Sequence, residues 1–242
     1  MGKRSAIEWT EATWNPWHGC LKVSPGCAHC YMYRDKQRYG QDASQVVRSK
    51  SSFDAPTKWR ESRVIFTCSW SDFFIQQADS WRDEAWEVIR NTPQHTYQIL
   101  TKRPERIREH LPNGWPFNNV WLGVSVENPR FYKRIEVLTD IPAGIRFLSL
   151  EPLLAPMPCL PLKGISWVVV GGESGPACRP MQVEWVREIR SQCAKAKVAF
   201  FFKQWGGPRK DVTGRVLDGK LWNAMPRRRS QCNTALVSLA TA

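Results

Sequence analysis

The chain has 242 residues, 42% of them hydrophobic, and a formal net charge of +13. That is ample for a packed core, and no apolar run approaches the roughly 18 residues of a membrane span. The excess of Lys and Arg predicts a polyanionic partner, a nucleic acid or a nucleotide. The thirteen tryptophans are expected mostly in the core, with some available to stack on bases.

The opening run from Met1 to Trp9 has no apolar h-region, so no secretory signal and a cytoplasmic location are expected. In that setting the eight cysteines read as reduced thiols or metal ligands rather than disulfides. Cys68 lies in an apolar strand-like run and Cys193 on a helical pattern, so both are expected to be buried.

Apolar runs alternate with amphipathic stretches along the chain. A first strand falls within Trp9–Trp14, and the cysteine-rich segment 18–31 follows it. Strand Val64–Trp70 precedes a helix over Ser80–Asn91, and strand Thr96–Thr101 precedes one over Pro104–His110. Strand Val120–Val126 leads to a helix over Pro129–Leu138. Strands follow at Ile145–Leu150 and Ile165–Val170, then a helix at Val183–Ala196 and a strand at Val198–Phe202. This alternation predicts βαβ units and a parallel sheet, of the partial (β/α)6 TIM-barrel type. A single domain over 1–229 and a weakly ordered tail over 230–242, after the basic Arg227–Arg229, complete the expectation.

Polar residues cluster after nearly every strand: Ser71 and Asp72, Lys102 and Arg103, Ser125 and Glu127, Glu151, Gly171 to Ser174, and Lys203 with Gln204. In an α/β barrel the carboxyl ends of the strands form one rim, and catalytic residues come from it. Glu151 and Glu173 are expected there as carboxylates facing a substrate. Gly171 and Gly172 allow a ligand to approach the backbone closely.

Cys20, Cys27 and Cys30 form a C-x6-C-x2-C pattern beside Pro25 and Gly26. Three thiolates on one loop can hold three corners of a metal centre and leave the fourth open. Zinc completed by His18 or His29 is one reading, although only the final C-x2-C has common zinc spacing. A [4Fe–4S] cluster with one unliganded iron is the other. No G-x-G-x-x-G or Walker P-loop is present, which argues against NAD and ATP chemistry.

The cluster-type loop, with Cys-x2-Cys followed by an aromatic residue, resembles the radical S-adenosylmethionine (SAM) enzymes, whose common spacing is C-x3-C-x2-C. A closer resemblance covers roughly residues 7–229. It is carried by Thr13-Trp-Asn-Pro16, Ser24-Pro-Gly-Cys-Ala-His-Cys-Tyr31, Ser69-Trp-Ser-Asp-Phe73 and Leu100-Thr-Lys-Arg-Pro104. Trp121-Leu-Gly-Val-Ser-Val-Glu-Asn128, Ser149-Leu-Glu-Pro152, Gly171-Gly-Glu-Ser-Gly175 and Lys203-Gln-Trp-Gly206 add to it. These runs resemble the phage Gp37/Gp68 family (DUF5131).

The radical SAM resemblance, nearest to the spore photoproduct lyase branch, implies a [4Fe–4S] cluster on Cys20, Cys27 and Cys30 with SAM on its open iron. Ser71, Lys102 and Ser125 lie at intervals similar to that branch's SAM-binding Ser, Lys and Ser. Lys102 would pair with the SAM carboxylate, Ser71 or Asp72 with its amine, Glu127 with the ribose, and His29 would lie near the adenine. Cys68, Glu151, Glu173 and Lys203 are candidates for substrate contact or for proton and hydrogen transfer. An external one-electron reductant is implied. The basic charge and the phage-type resemblance suggest a modified or damaged pyrimidine in DNA as substrate. Two alternatives are a zinc-stabilised nucleic-acid-binding protein and a divalent-metal nuclease using Asp72, Glu127, Glu151 and Glu173.

Overall fold

The computed structural model describes residues 5–226. In chain order it contains β1 (Ala12–Trp14), β2 (Trp17–His18), α1 (Tyr31–Arg38), β3 (Val47–Arg48), β4 (Val64–Thr67) and α2 (Asp79–Arg90). Then come β5 (Thr96–Thr101), β6 (Val120–Ser125), α3 (Lys133–Thr139), β7 (Ile145–Leu150), β8 (Trp167–Gly171), α4 (Val183–Ala196), β9 (Ala199–Gln204) and α5 (Lys210–Thr213). The run 230–242, Arg227–Arg229 and Cys232 lie outside the described residues. Among the described residues no helix is long and apolar enough to cross a membrane.

Seven strands form one wholly parallel sheet in the order β1-β4-β5-β6-β7-β8-β9, curled into a half-barrel. The sheet thus has seven strands where a (β/α)6 barrel has six, because the N-terminal segment supplies an edge strand. That strand is only Ala12–Trp14. The strand expected to reach Trp70 stops at Thr67, where Cys68 enters the left-handed region at φ 60° and turns the chain.

The helix expected over Pro104–His110 is two 3-10 turns, Pro104–Arg106 and Arg108–His110. Leu111 precedes Pro112 and is extended at ψ 142°, which stops any continuation. A similar 3-10 turn at Pro129–Phe131 precedes α3. A short antiparallel pair, β2 with β3, closes the base of an excursion that carries the cysteines and α1.

The two faces of the sheet bury different things. The outer face packs on Ala85, Trp86 and Ile89 of α2, Ile135 and Leu138 of α3, and Val186, Ile189 and Cys193 of α4. The inner face is filled toward the amino ends of the strands by Trp9, Trp121, Phe147, Trp167 and Phe201. Ring centroids of Trp167 lie 5.8 Å from Trp9, 5.6 Å from Phe147, 5.9 Å from Trp121 and 6.0 Å from Phe201.

Side chains on one face of a strand recur every second residue. Two or four positions beyond the floor residues Leu100, Trp121, Phe147 and Phe201 come Lys102, Ser125, Ser149, Glu151 and Lys203, so the lumen is dry at its base and polar at its mouth. Trp167 is fully buried at the centre of that floor, and its Nε1 donates to the Ala224 carbonyl at 2.9 Å. Trp167→Ala is expected to cost about 3–5 kcal/mol in urea unfolding. A loss below about 1 kcal/mol would show that the floor collapses around the gap.

Candidate functional site

The mouth of the half-barrel opens into a cavity of 830 Å³. Of the candidate residues singled out in the sequence, His18, Glu127 and Gly171 do not line it and the others do. Cys20, Cys27 and Cys30 are half-buried on its rim, and all seven cysteines among the described residues are free. Cys20 begins the loop immediately after β2, and Cys30 ends it at the start of α1.

Three buried carboxylates hold this loop. Asp72, just past β4, accepts from Phe74 N at 2.9 Å, Thr101 Oγ1 at 2.7 Å, Lys102 N at 2.9 Å and Arg103 Nη1 at 2.9 Å. Arg103 then donates to the Leu21 carbonyl at 2.7 Å and approaches the Cys20 sulfur at 3.9 Å. Ser71 Oγ donates to the Gly19 carbonyl at 2.6 Å. Asp72 and the Ser71 proton are therefore engaged with the protein.

Glu127, past β6, is fully buried. It accepts from Ser24 Oγ at 2.6 Å and from Arg134 Nη1 at 3.0 Å, with Lys102 Nζ at 3.7 Å. A Cβ added to Gly26 would fall 2.4 Å from its side chain, so the loop lies directly on this carboxylate. Glu127 lies behind the loop and does not line the cavity.

Glu173, past β8, accepts from His29 Nδ1 at 3.0 Å and from Arg179 N and Nε at 2.9 and 2.8 Å. Arg179 also donates to the Pro25 carbonyl at 3.0 Å. Burial alone would raise the Glu173 pKa, but the bonds from Arg179 and His29 hold it at about 2. Gly172 meets the protein's own backbone: an added Cβ would fall 1.9 Å from the Trp205 carbonyl oxygen. The close approach expected for a ligand at this Gly-Gly pair is thus made by the chain after β9.

The remaining candidates face the lumen. Lys203, inside β9, pairs with Glu151 just past β7. Ser125 and its neighbour in register, Ser149, are buried, line the cavity and carry no side-chain hydrogen bond among the described residues. Ser149 escaped the sequence reading, although it shares a strand face with Glu151 and a period-two count would have found it. Arg134 and Arg179 also escaped, and Arg103 was read only as a polar residue after a strand; no local pattern marks a residue whose partner is a distant carboxylate.

Burial and the nearby Asp72 carboxylate push the Cys20 thiol up to about 12, against the pull of Arg103. Burial pushes the Cys68 thiol well above its ordinary value, so it stays protonated at neutral pH. Among the described residues no three His, Cys, Asp or Glu side chains converge on a single-ion site. A zinc ion with bonds of about 2.3 Å needs its thiolates within about 4 Å of one another. An iron–sulfur cluster is itself several atoms wide and accepts thiolates spread around its corners. The donor set also suits a cluster: three free cysteines on one loop, with Arg103 near one sulfur and the Ser24 hydroxyl 3.8 Å from the Cys27 sulfur.

The folded Glu173 pKa lies below its ordinary 4.5, so the unfolded chain binds the extra proton between these values. The clamp thus stabilises the protein fully above about pH 4.5 and loses its contribution as pH falls toward 2. Glu173→Gln is expected to lower stability by about 1–2 kcal/mol at pH 7, with the difference from wild type shrinking through that window. Denaturant unfolding at several pH values measures it; a difference independent of pH would sink the assignment.

No curated protein and no solved structure matches the chain. A family model described as "Protein of unknown function (DUF5131)" matches residues 4–226. The cysteine loop, its three clamps and the seven-stranded half-barrel all fall within that span, and the chain belongs to the DUF5131 family.

Proposed function

We propose that this protein is a radical SAM enzyme acting on a nucleic-acid base, a phage-type DNA modification or repair activity. The observation that carries the reading is the convergence of Cys20, Cys27 and Cys30 with unbonded hydroxyls and a lysine at the mouth of one parallel half-barrel. A [4Fe–4S] cluster on these cysteines, with SAM on its open iron and an external one-electron donor, supplies reductive cleavage of SAM to methionine and a 5′-deoxyadenosyl radical that abstracts a substrate hydrogen atom.

The protein's own groups have separable tasks. The three carboxylate clamps hold the loop so that its sulfurs present one face to the lumen. Lys102 Nζ, 3.7 Å from Glu127, offers its remaining donors to the carboxylate of an amino acid. Ser125 and Ser149 supply hydroxyls for polar groups of the same ligand. His29 lies beside Cys30 with its Nδ1 fixed by Glu173, leaving the ring to pack against a planar group.

Across the lumen, the Glu151–Lys203 pair can position a base edge and hold or return a proton. Cys68, protonated and buried at the end of β4, is suited to donate a hydrogen atom rather than to act as a nucleophile. The aromatic floor excludes water from below, which protects a reactive intermediate. The cavity of 830 Å³ lies in the size range of small-molecule and cofactor sites.

Two features set this reading above the nuclease alternative. Asp72, Glu127 and Glu173 each pair with an arginine and hold the cysteine loop, and Glu151 pairs with Lys203. The carboxylates are therefore distributed among loop anchors rather than gathered around one ion.

Anaerobic reconstitution with iron and sulfide is expected to give a brown protein with about four iron atoms per chain. Incubation with SAM and dithionite should release 5′-deoxyadenosine, and Cys27→Ala should abolish both iron binding and that product. A colourless protein holding about one zinc would overturn the proposal, as would nuclease activity retained by Cys27→Ala with Mg²⁺ or Mn²⁺.

A further inference from the structure

A second cavity of 630 Å³ adjoins the lumen, between α1 and the turn 174–177. Both cavities are lined by Lys22, His29, Cys30, Arg34 and Gly175, so the second is a side chamber of the first.

The cations near the mouth fall into two groups. Lys102 and Arg134 pair with Glu127, Arg103 with Asp72, Arg179 with Glu173 and Lys203 with Glu151. Lys22, Arg34, Arg38 and Arg209 pair with no carboxylate among the described residues, and of these four Lys22 and Arg34 line the side chamber as well as the lumen. Lys22 Nζ donates to the Ala28 carbonyl at 3.1 Å and lies 4.7 Å from the centre of the Tyr33 ring. The chamber's one carboxylate, Asp42, is turned to Ser44, accepting from its N and Oγ at 2.8 and 2.7 Å.

Arg34 is half-buried against the turn at Gly175. Its Nη1 occupies the space a side chain on residue 175 would need, since a Cβ there would fall 2.0 Å away. Gly175 sits at φ +119°, where a side chain would be strained in any case. An arginine fork and a lysine, both without a carboxylate, thus flank a chamber that continues into the lumen.

We infer that Lys22 and Arg34 form a phosphodiester-binding subsite, which grips the backbone of a DNA strand while its target base enters the lumen. The planar fork matches two phosphate oxygens and the ammonium supplies a point charge beside it. The side chamber also has room for a neighbouring nucleotide, which a site for one free phosphate would not need. A grip beside the lumen suits base insertion, because contacts to the nucleotides flanking a flipped base help to select and place it. This inference rests on the nucleic-acid part of the proposed function and does not need the cluster.

The test uses the metal-free protein and a fluorescein-labelled single-stranded 12-mer of DNA, titrated by anisotropy from low to moderate salt. Lys22→Gln and Arg34→Gln are each expected to weaken binding about tenfold across unrelated sequences. Each should lower the slope of log affinity against log salt by about 0.7. Arg34→Lys should fall between Arg34→Gln and wild type. Lys163→Gln, an exposed cation in the connection entering β8 from the opposite end of the sheet, should bind as wild type does.

Wild-type affinity and salt slope in both Gln variants, with unchanged circular dichroism, would overturn the subsite and leave the nucleic-acid reading standing. A wild-type protein that binds no DNA would overturn that reading and the subsite together. Equal binding of a nucleoside monophosphate, with the same loss in the variants, would identify a free nucleotide as the occupant and overturn the strand-gripping form.

Discussion

The site depends on buried negative charge at three strand ends. Asp72, Glu127 and Glu173 leave successive parts of one curled sheet, and each is neutralised by an arginine and tied to the cysteine loop. The loop's own regular backbone bonding is confined to the 3-10 turn Pro25–Cys27. Its shape comes from Arg103 at Leu21, Ser24 at Glu127, and His29 and Arg179 at Glu173. A buried carboxylate deprived of its partner costs several kcal/mol, so the three anchors are self-enforcing. They fix where the sulfurs of Cys20, Cys27 and Cys30 sit relative to the lumen.

The same arrangement divides the charged groups by task. Cations that meet carboxylates serve the architecture, and the groups left over face ligand space. Ser125, Ser149, Lys22 and Arg34 belong to the second set. Lys102 bridges the two, touching Glu127 at a distance long enough to leave donors free. Beneath them the tryptophan and phenylalanine floor keeps the base of the half-barrel dry, which strengthens every electrostatic contact at the mouth.

Much of this was legible along the chain. The alternation of apolar runs with amphipathic stretches located six strands within a few residues, because period two and period 3.6 are local properties. The failures were local too. The Pro104–His110 segment has helical composition, but it forms two 3-10 turns, which the extended Leu111 before Pro112 ends. The apolar run to Trp70 hid the turn at Cys68, whose backbone a sequence pattern cannot show. Gly171 and Gly172 suggested a ligand; Gly171 instead faces the Glu151 side chain, and Gly172 meets the Trp205 backbone just past β9.

Assigning roles to the carboxylates was beyond the sequence for the same reason. By pattern alone, Asp72, Glu127, Glu151 and Glu173 are equivalent acidic residues after strands. Only packing shows that three are loop anchors and that Glu151 meets Lys203 in the lumen. What the sequence by itself determined was the parallel α/β class, the cysteine loop and the phase that puts polar residues at the strand ends. Those follow from periodicity and spacing, which neighbouring residues carry. Which side chains face the lumen, which are consumed in ion pairs and which cations stay unpaired was decided by tertiary structure. Each of those outcomes turns on a partner tens of residues away, brought close only when the sheet curls.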